Sequence, residues 1–158
     1  MEQDLASGTR FLRLMGDAKV TRDERGRIVI PSEYAYAFEK ADTVVIGPAP
    51  DGGSLYAFPP AAWEDLVDRL RRAKEDGDPE AAAFLRLYTS LYRRERIQGK
   101  QRRIDVTPDL AELATLSGSV VVLGRDDRLE IVDESAWRRR MARILEEVRP
   151  MAERSRWD

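Results

Sequence analysis

The chain has 158 residues, and its 27 basic and 29 acidic side chains nearly cancel to a formal net charge of −2. This length can bury one good hydrophobic core or two small ones, and the near-neutral balance means that any anion-binding surface must come from local segregation of charge. Because the chain contains no cysteine and no histidine, its composition excludes disulfides, thiolate sites, Ser-His and Cys-His nucleophiles and most zinc sites.

The hydropathy pattern and the N-terminus bear on localisation. No stretch approaches the roughly 18 uninterrupted apolar residues of a membrane-spanning helix. The N-terminus, MEQDLASGTR, is acidic at its start and lacks a signal-peptide pattern. We therefore expect a cytoplasmic protein with no membrane partner. The sequence has no catalytic constellation and no metal or cofactor motif, so we expect a protein that is not an enzyme.

The first predicted elements surround a highly charged stretch, KVTRDERGRIVIP (19–31), in which four basic residues flank a glycine. Its second part, RIVI (27–30), is alternating and β-branched, which is typical of a short strand. Residues 32–40 then predict a short helix with Ser32 as a possible N-cap. The pattern is therefore a charged turn, a strand and a helical turn.

A hairpin and two helices follow. The apolar run 43–47 and the segment 55–58 are separated by a loop dense in turn residues, which predicts a β-hairpin. Residues 59–77 open with prolines suited to a helix start, and a second helix is predicted after the capping residue Asp78. The expected apolar faces of these two helices are formed by Trp63, Leu66, Val67 and Leu70, and by Phe84, Leu87, Tyr88 and Leu91.

The second half of the sequence repeats the pattern of the first. The aligned positions are Arg27 with Arg103, Ile28 with Ile104, 44–46 with 120–122, Leu55 with Leu129, and Trp63 with Trp137. One such unit is too small to bury its apolar surface comfortably. We therefore expect the two copies to pack around a pseudo-two-fold axis into one compact, barrel-like core.

The final helix has one apolar face. This face contains Trp137, Met141, Ile144, Leu145 and Val148. We expect both repeat tryptophans to pack in the interior rather than to stack on bases. The pair Asp126 and Asp127 is better explained by a hairpin turn than by a metal or acid-base site. For three aromatic residues the sequence does not decide between a place at an interface and a place in the interior: Tyr34, Tyr36 and Phe38.

Basic residues are concentrated around the two repeated turns. Residues 10–27 hold six basic side chains against three acidic ones, and 93–103 hold six against Glu95 alone. Because the repeat makes the two turns equivalent, we expect them to lie close together on one face. A nearly neutral chain can therefore present a basic surface suited to phosphate or guanine.

Together these features resemble the MraZ family. The strongest motif is DERGRIVIP (23–31), followed by the pattern Leu-Tyr-x-x-Pro-x-x-x-Trp. The resemblance covers about residues 11–148 and includes LMGD (14–17), AAAFLRLYTS (81–90) and VVVLGRDDRLEI (120–131). A lone Asp-x-x-Gly-Arg would be a weak signal, but its register with two hairpins and two tryptophans is specific.

The resemblance implies an α+β fold of two tandem swapped-hairpin half-barrels of the AbrB-like, or SpoVT-AbrB, type. It places the first copy and its linking helices at 12–92 and the second copy with the last helix at 93–148. Residues 1–11 and 149–158 are expected to be flexible tails.

The resemblance also implies a function. Members of this family are expected to be bacterial transcriptional regulators of the cell-division and cell-wall gene cluster. Such a protein would be cytoplasmic and nucleoid-associated. It would form a homo-oligomeric ring and bind direct repeats in promoter double-stranded DNA.

The second copy departs from the family pattern. The paired acid and arginine of the motif map onto Asp23 and Arg27, but the equivalent of Asp23 is Gly99. The turn glycine becomes Arg102, and the proline at the strand end becomes Thr107. Gly99 could still supply a positive φ, and the shape of this second turn remains open.

Roles for the basic residues follow from the resemblance. Arg25 and Arg27 are the candidates for base readout, with Asp23 orienting Arg27 and Gly26 holding a positive φ. Since Arg103 has no aligned acid, we expect it to behave as a phosphate contact, unlike Arg27. The expected phosphate contacts are therefore Lys19, Arg22, Lys100, Arg102 and Arg103.

Two other functions remain open at this point. The chain could be a ring-forming scaffold that binds a protein and has lost DNA readout through its altered second turn. It could also be an AbrB-type antitoxin that neutralises a toxin through the C-terminal tail, RPMAERSRWD (149–158).

Overall fold

The computed structural model describes residues 13–157, and these form a mixture of strands and helices. The predicted α+β class is confirmed. The strands are β1 (Asp17–Thr21), β2 (Arg27–Val29), β3 (Thr43–Pro48), β4 (Leu55–Phe58), β5 (Arg93–Arg96), β6 (Arg103–Asp105), β7 (Ser119–Arg125) and β8 (Arg128–Asp133). The helices are α1 (Pro60–Glu75), α2 (Pro79–Ser90), α3 (Pro108–Leu113) and α4 (Glu134–Ala152), with a 3-10 helix at Ser32–Phe38.

The strands form two antiparallel sheets. The larger sheet has the order β1-β7-β8-β4-β3-β5, and β2 and β6 form a separate two-stranded ribbon, the β2–β6 ribbon. At the centre of the larger sheet β4 pairs with β8, with Leu55 opposite Ile131. At its edges β1 pairs with β7 and β5 pairs with β3. Each edge strand therefore pairs with a strand from the other half of the chain.

The main core lies between the β2–β6 ribbon and the inner face of the larger sheet. Ile28 and Ile104, which face each other in the ribbon, share this core with Val44 and Ile46 of β3. Because side chains alternate along a strand, Val45 points to the opposite face and joins a second cluster against the helices. The short apolar segments of the two halves thus bury one common core.

The helices cover the outer face of the larger sheet. α1 and α2 pack over Val45 and Phe58, and Trp63 belongs to this cluster. α4 packs over Val121 and Val132 through its first turn, where Trp137 lies. As predicted, both tryptophans pack against apolar clusters, where each is partly buried. None of the helices formed by residues 13–157 is both long and apolar enough to cross a membrane.

The local signals at helix starts agree with the structure in one case and not in another. Asp78 caps α2 and accepts hydrogen bonds from the backbone N–H groups of Glu80 and Ala81. Ser32, the predicted cap, is instead the first residue of a 3-10 helix that begins after Pro31 and has no side-chain cap bond. That prediction was wrong because Ser32 already lies inside the helical turn.

The remaining predictions concern three aromatic residues, one turn and the chain ends. Tyr34 and Phe38 are buried in the main core, so they are not interface residues, whereas Tyr36 is exposed. Asp126 has a φ of +67° at the turn between β7 and β8, as the hairpin interpretation predicted. α4 ends at Ala152 rather than near residue 148. The predicted N-terminal tail, 1–11, lies outside the described residues.

Candidate nucleic-acid interface

The β2–β6 ribbon brings the two arginine-rich turns together. In its register Arg27 lies opposite Asp105, and Val29 lies opposite Arg103. Ile28 and Ile104 point into the core, so the residues on either side of them point outward on the same face. Arg27 and Arg103 are therefore diagonal neighbours on the outer face of the ribbon, as the repeat predicts for the two turns.

Asp23 fixes the first turn. Its Oδ1 accepts hydrogen bonds from the backbone N–H groups of Arg25 at 2.9 Å and Arg27 at 2.8 Å. Its Oδ2 accepts from Arg27 Nε at 2.9 Å. Burial raises the pKa of Asp23, but these hydrogen bonds and the charge of Arg27 outweigh burial and bring the pKa below its ordinary value. The carboxylate is therefore ionised at neutral pH, and it orients the Arg27 side chain.

The same carboxylate also contacts the second turn. Arg103 Nη1 donates to Asp23 Oδ2 at 3.2 Å. The expectation that Arg103 lacks an acidic partner was therefore wrong, because the ribbon places Asp23 within reach of both arginines. The aligned position, Gly99, has no side chain to contribute, and Asp23 is shared across the two copies.

Two glutamines complete this cluster, and sequence reasoning missed both. Arg27 Nη1 donates to Gln98 Oε1 at 2.9 Å, and Gln98 Nε2 donates to Asp105 Oδ2 at 3.1 Å. Arg103 Nε and Nη2 both donate to Gln101 Oε1, at 3.0 and 2.6 Å. The signal that could have found them is the loss of an acid at Gly99. Without that carboxylate the second turn needs other acceptors, and Gln98 and Gln101 lie on either side of Gly99 in the basic stretch.

Both turns have left-handed backbone at the aligned position. Gly26 has a φ of +79° and Arg102 a φ of +54°. The second turn thus keeps a left-handed residue despite the loss of its glycine. Gly99 adds another positive φ of +69°, as predicted.

The first turn forms one side of an open groove of about 480 Å³. Arg22 contributes to it, with its Nε donating to the Gly26 carbonyl at 3.4 Å. The residues that line the groove are Arg22, Asp23, Glu24, Arg25, Arg27 and Arg103. Four of the predicted DNA-contacting arginines are therefore brought together on one surface.

The remaining predicted residues lie elsewhere. Lys100 and Arg102 line an adjacent groove beside Ser32, and Arg102 Nη1 donates to the Phe38 carbonyl at 3.2 Å. Lys19 is in β1 and forms an ion pair of 3.1 Å with Glu134 at the start of α4. This ion pair directs the Lys19 side chain toward α4. Lys19 therefore does not join the cluster around Asp23.

The arrangement suits recognition of anions. A guanidinium presents its N–H groups in a planar fork that matches phosphate oxygens and guanine edges. The groups around Asp23 hold Arg27 and Arg103 in fixed orientations on the outer face of the ribbon, where both side chains are partly exposed. The fold and this surface define a class: α+β proteins that display two arginine-rich turns side by side on a two-stranded ribbon.

Comparison with curated proteins identifies the family. The chain is 36% identical over 115 residues to the transcriptional regulator MraZ of Mycobacterium tuberculosis, which covers 73% of this chain and 77% of the relative. It is 30% identical over 131 residues to the protein of that name from Salinispora tropica, covering 83% and 89%. It is 29% identical over 128 residues to that from Shewanella frigidimarina, covering 80% and 83%. No family model matches the chain.

These identities extend over most of both chains. The chain therefore belongs to the MraZ family, as the motif DERGRIVIP predicted. The named relatives are transcriptional regulators.

Proposed function

We propose that this protein is a transcriptional regulator that binds promoter double-stranded DNA through the face of the β2–β6 ribbon that carries the two turns. One observation carries the proposal: Arg27 and Arg103 lie side by side on that face and share Asp23. Two oriented guanidiniums on the outer face of the ribbon suit contacts with the phosphates and base edges of a duplex. The names of the relatives support the regulatory role.

The contacts divide into two kinds. Arg25 and Arg27 would read base edges in the major groove, where an arginine binds guanine bidentately. Phosphate contacts from Arg22, Lys100 and Arg103 would fix the register without reading sequence. Gly26 supports both kinds of contact, because its positive φ sets the shape of the turn. Since Arg102 is bonded to the Phe38 carbonyl and Lys19 to Glu134, their part in phosphate binding requires that they leave these partners.

The proposed architecture is a tandem pair of AbrB-like swapped hairpins related by a pseudo-two-fold axis. The pairing of β1 with β7 and of β5 with β3 supports it, because each copy then contributes its first strand to the other. In this division residues 12–92 form the first copy with its linking helices, and residues 93–148 form the second copy with α4.

The protein would assemble as a homo-oligomeric ring, and α4 supports this. By the repeat, Val67 of α1 corresponds to Met141 of α4, and Leu70 corresponds to Ile144. α2 covers this face of α1, where Val67 is 1% exposed, whereas Met141 is 41% exposed and Ile144 is 44% exposed. The apolar stripe of α4, comprising Met141, Ile144, Leu145, Val148 and Met151, is available to a second copy of the chain.

Ring assembly would make DNA binding multivalent. One β2–β6 ribbon offers few base contacts, so its own affinity is expected to be low. A ring would present several ribbons to successive direct repeats, and each further contact becomes effectively intramolecular. As the family resemblance implies, the repeats would lie upstream of the division and cell-wall gene cluster, and the protein would be cytoplasmic and nucleoid-associated.

The test is fluorescence anisotropy on a duplex from the protein's own upstream region and on a scrambled duplex, across a salt series. The wild type should prefer the upstream duplex. Arg27→Ala should reduce that preference by about 1–3 kcal/mol per engaged ribbon, the scale of one bidentate base contact. Arg71→Ala, which removes an exposed arginine of α1, is the matched control and should bind like the wild type.

Equal affinity of the wild type for both duplexes would contradict sequence-specific regulation. It would instead favour a ring-forming scaffold that binds a protein partner. Unfolding curves for each variant establish that a lost preference is not a lost fold.

A further inference from the structure

We propose that the two turns act as a single DNA-contacting unit in which Asp23 is the shared anchor of both arginines. In this unit Gln98 and Gln101 are positioning residues that orient Arg27 and Arg103 without neutralising them. The inference rests on the proposed function and names the residues that set the geometry and charge of the same surface.

Each arginine has one partner from its own turn and one from the other turn. For Arg27 these are the Asp23 carboxylate and the Gln98 amide oxygen. For Arg103 they are the Gln101 amide oxygen and the Asp23 carboxylate. The two arginines thus have matching environments in which the carboxylate and the amide exchange places.

The contacts of both arginines with Asp23 are partly shielded from water, whereas those of Arg103 with Gln101 are exposed. The side-chain exposures are 20% for Arg27, 29% for Arg103 and 21% for Asp23. Gln101 Oε1 accepts two N–H groups of the same guanidinium, at 3.0 and 2.6 Å. A side chain held at three of its N–H groups in this way has few alternative orientations, so Gln101 and Asp23 together determine where Arg103 points.

Two guanidiniums converge on one carboxylate, because the position aligned with Asp23 is Gly99 and the amide of Gln101 is neutral. A carboxylate in place of that amide would cancel the charge of Arg103 and weaken its attraction to phosphate. The glutamine keeps the orientation and leaves the charge available, so the second turn contributes to the electrostatic part of DNA binding.

The charge part is tested with two substitutions of one residue. Gln101→Glu keeps an acceptor for Arg103 but neutralises it. It should flatten the slope of log affinity against log salt by about one and weaken binding to upstream and scrambled duplexes alike, by several-fold. Gln101→Ala removes the acceptor but not the charge. It should leave the salt slope unchanged and weaken binding to both duplexes alike by about threefold, because a phosphate contact that is no longer oriented is weaker but reads no sequence.

Ala61→Glu in α1 is the control for an added negative charge on the outer helical layer. It should change neither the slope of log affinity against log salt nor the preference for the upstream duplex. Equal salt slopes for the wild type and Gln101→Glu would overturn the proposed role of the neutral amide.

The shared anchor is tested without DNA. Urea unfolding is measured for a double-mutant cycle that consists of Arg27→Ala, Arg103→Ala and the double variant. The cycle is measured once with Asp23 present and once in the Asp23→Ala background. With Asp23 present, the two substitutions should be non-additive by about twofold to fivefold in the unfolding equilibrium constant, the range of partly exposed ion pairs. With Asp23→Ala they should become additive.

The outcomes separate this inference from the proposed function. Additive substitutions in the presence of Asp23 would overturn the shared anchor even if the wild type prefers its upstream duplex. If the wild type shows no preference for its upstream duplex while the coupling through Asp23 is present, the DNA-contacting role and the proposed function are both overturned. Coupling through Asp23 and a flattened slope in Gln101→Glu together would support the inference.

Discussion

At the scale of single residues, the two turns share a left-handed backbone conformation but place different residues in it. Gly26 and Arg102 both adopt left-handed backbone, at +79° and +54°. Glycine does so without steric cost, whereas any other L-residue is disfavoured there. The Arg102 side chain donates to the Phe38 carbonyl, and this hydrogen bond offsets part of the strain.

We expect Gly26→Val to destabilise the protein by about 1–3 kcal/mol, because valine is strained at a positive φ. A Cβ at Gly26 would also lie 2.9 Å from Arg22 Nη2 and 3.3 Å from the Val106 carbonyl. Urea unfolding measures the loss. Gly118→Ala, where an added Cβ meets no atom within 4 Å, should change stability by less than about 0.5 kcal/mol. A tolerated valine would contradict this account of the turn.

At Arg102 we compare two substitutions that both remove the bond to the Phe38 carbonyl. Arg102→Gly also relieves the left-handed strain, while Arg102→Ala retains it. The glycine variant should therefore be more stable than the alanine variant by about 1 kcal/mol, the left-handed penalty less the entropy cost of glycine. Urea midpoints of the two variants decide the point, and an alanine variant of equal stability would argue against strain at this turn.

At the scale of elements, the edge strands are the parts that local sequence patterns describe least well. β1 and β5 form the two edges of the larger sheet and carry charged residues such as Lys19 and Arg94. Charged side chains are typical of edges, because they prevent pairing with another chain. The same charge hides the alternation by which a strand is predicted, and neither strand was expected from the sequence.

α4 is held to the sheet by a buried carboxylate. Glu130 of β8 is 2% exposed. It accepts hydrogen bonds from Arg125 and Arg140, at 2.8 and 2.9 Å, and from the Ser54 hydroxyl. Because Arg140 lies in α4 and Ser54 lies before β4, this carboxylate connects a helix, a hairpin and the central pair of strands.

Glu130→Ala should destabilise the protein by about 2–4 kcal/mol. It would leave the partly buried Arg140 and the buried Ser54 without their acceptor, and an uncompensated buried group costs more than the pair contributes. Urea unfolding checks the value. Glu147→Ala on the exposed part of α4 is the control and should change stability by less than about 0.5 kcal/mol. A small effect at Glu130 would show that water replaces the carboxylate.

At the scale of the whole molecule, the apolar stripe of α4 concerns assembly. Light scattering on the wild type should give a mass several times 18.0 kDa. Leu145→Glu places a charge in the stripe and should reduce the mass toward that of one chain, because a buried unpaired carboxylate opposes association. Arg143→Glu places the same side chain on the other side of the helix and should leave assembly intact. A monodisperse wild-type monomer would contradict the ring.

Stability against acid also belongs to the whole molecule. Several carboxyls have pKa values below their ordinary range: Asp23, Asp109, Asp133 and Glu134. At Asp133 the main cause is the hydrogen bond from the Ser117 hydroxyl, and at Glu134 it is the one from Lys19. Glu95 is opposite, because burial raises its pKa.

A lowered carboxyl pKa stabilises the folded state above the unfolded pKa of about 4. That stability is lost as the pH falls through the lowered pKa values of the folded state. The raised pKa of Glu95 offsets part of this loss. The absence of histidine removes the usual titration between about pH 5 and 8. The urea midpoint should therefore be nearly constant from about pH 6 to 8 and fall below pH 4, and a marked change near neutrality would contradict this.

The sequence by itself determined the features that depend on neighbouring residues. The repeat, the strands of the hairpins, the cap at Asp78 and the amphipathic helices follow from spacing and composition, because their stabilising contacts lie within a few residues. The left-handed turn at Gly26 and the pairing of Asp23 with Arg27 are equally local. The motif DERGRIVIP, in register with the hairpins and the two tryptophans, was enough to predict the family.

The tertiary structure alone decided which distant groups meet. Asp23 and Arg103 are 80 residues apart, and they touch only because β2 and β6 pair across the two halves of the chain. The role of Gln98, the burial of Glu130 and the uncovered face of α4 depend on the same long-range packing. Side-chain partners of this kind are set by sheet register, which a one-residue shift would change entirely, and no local pattern encodes that register.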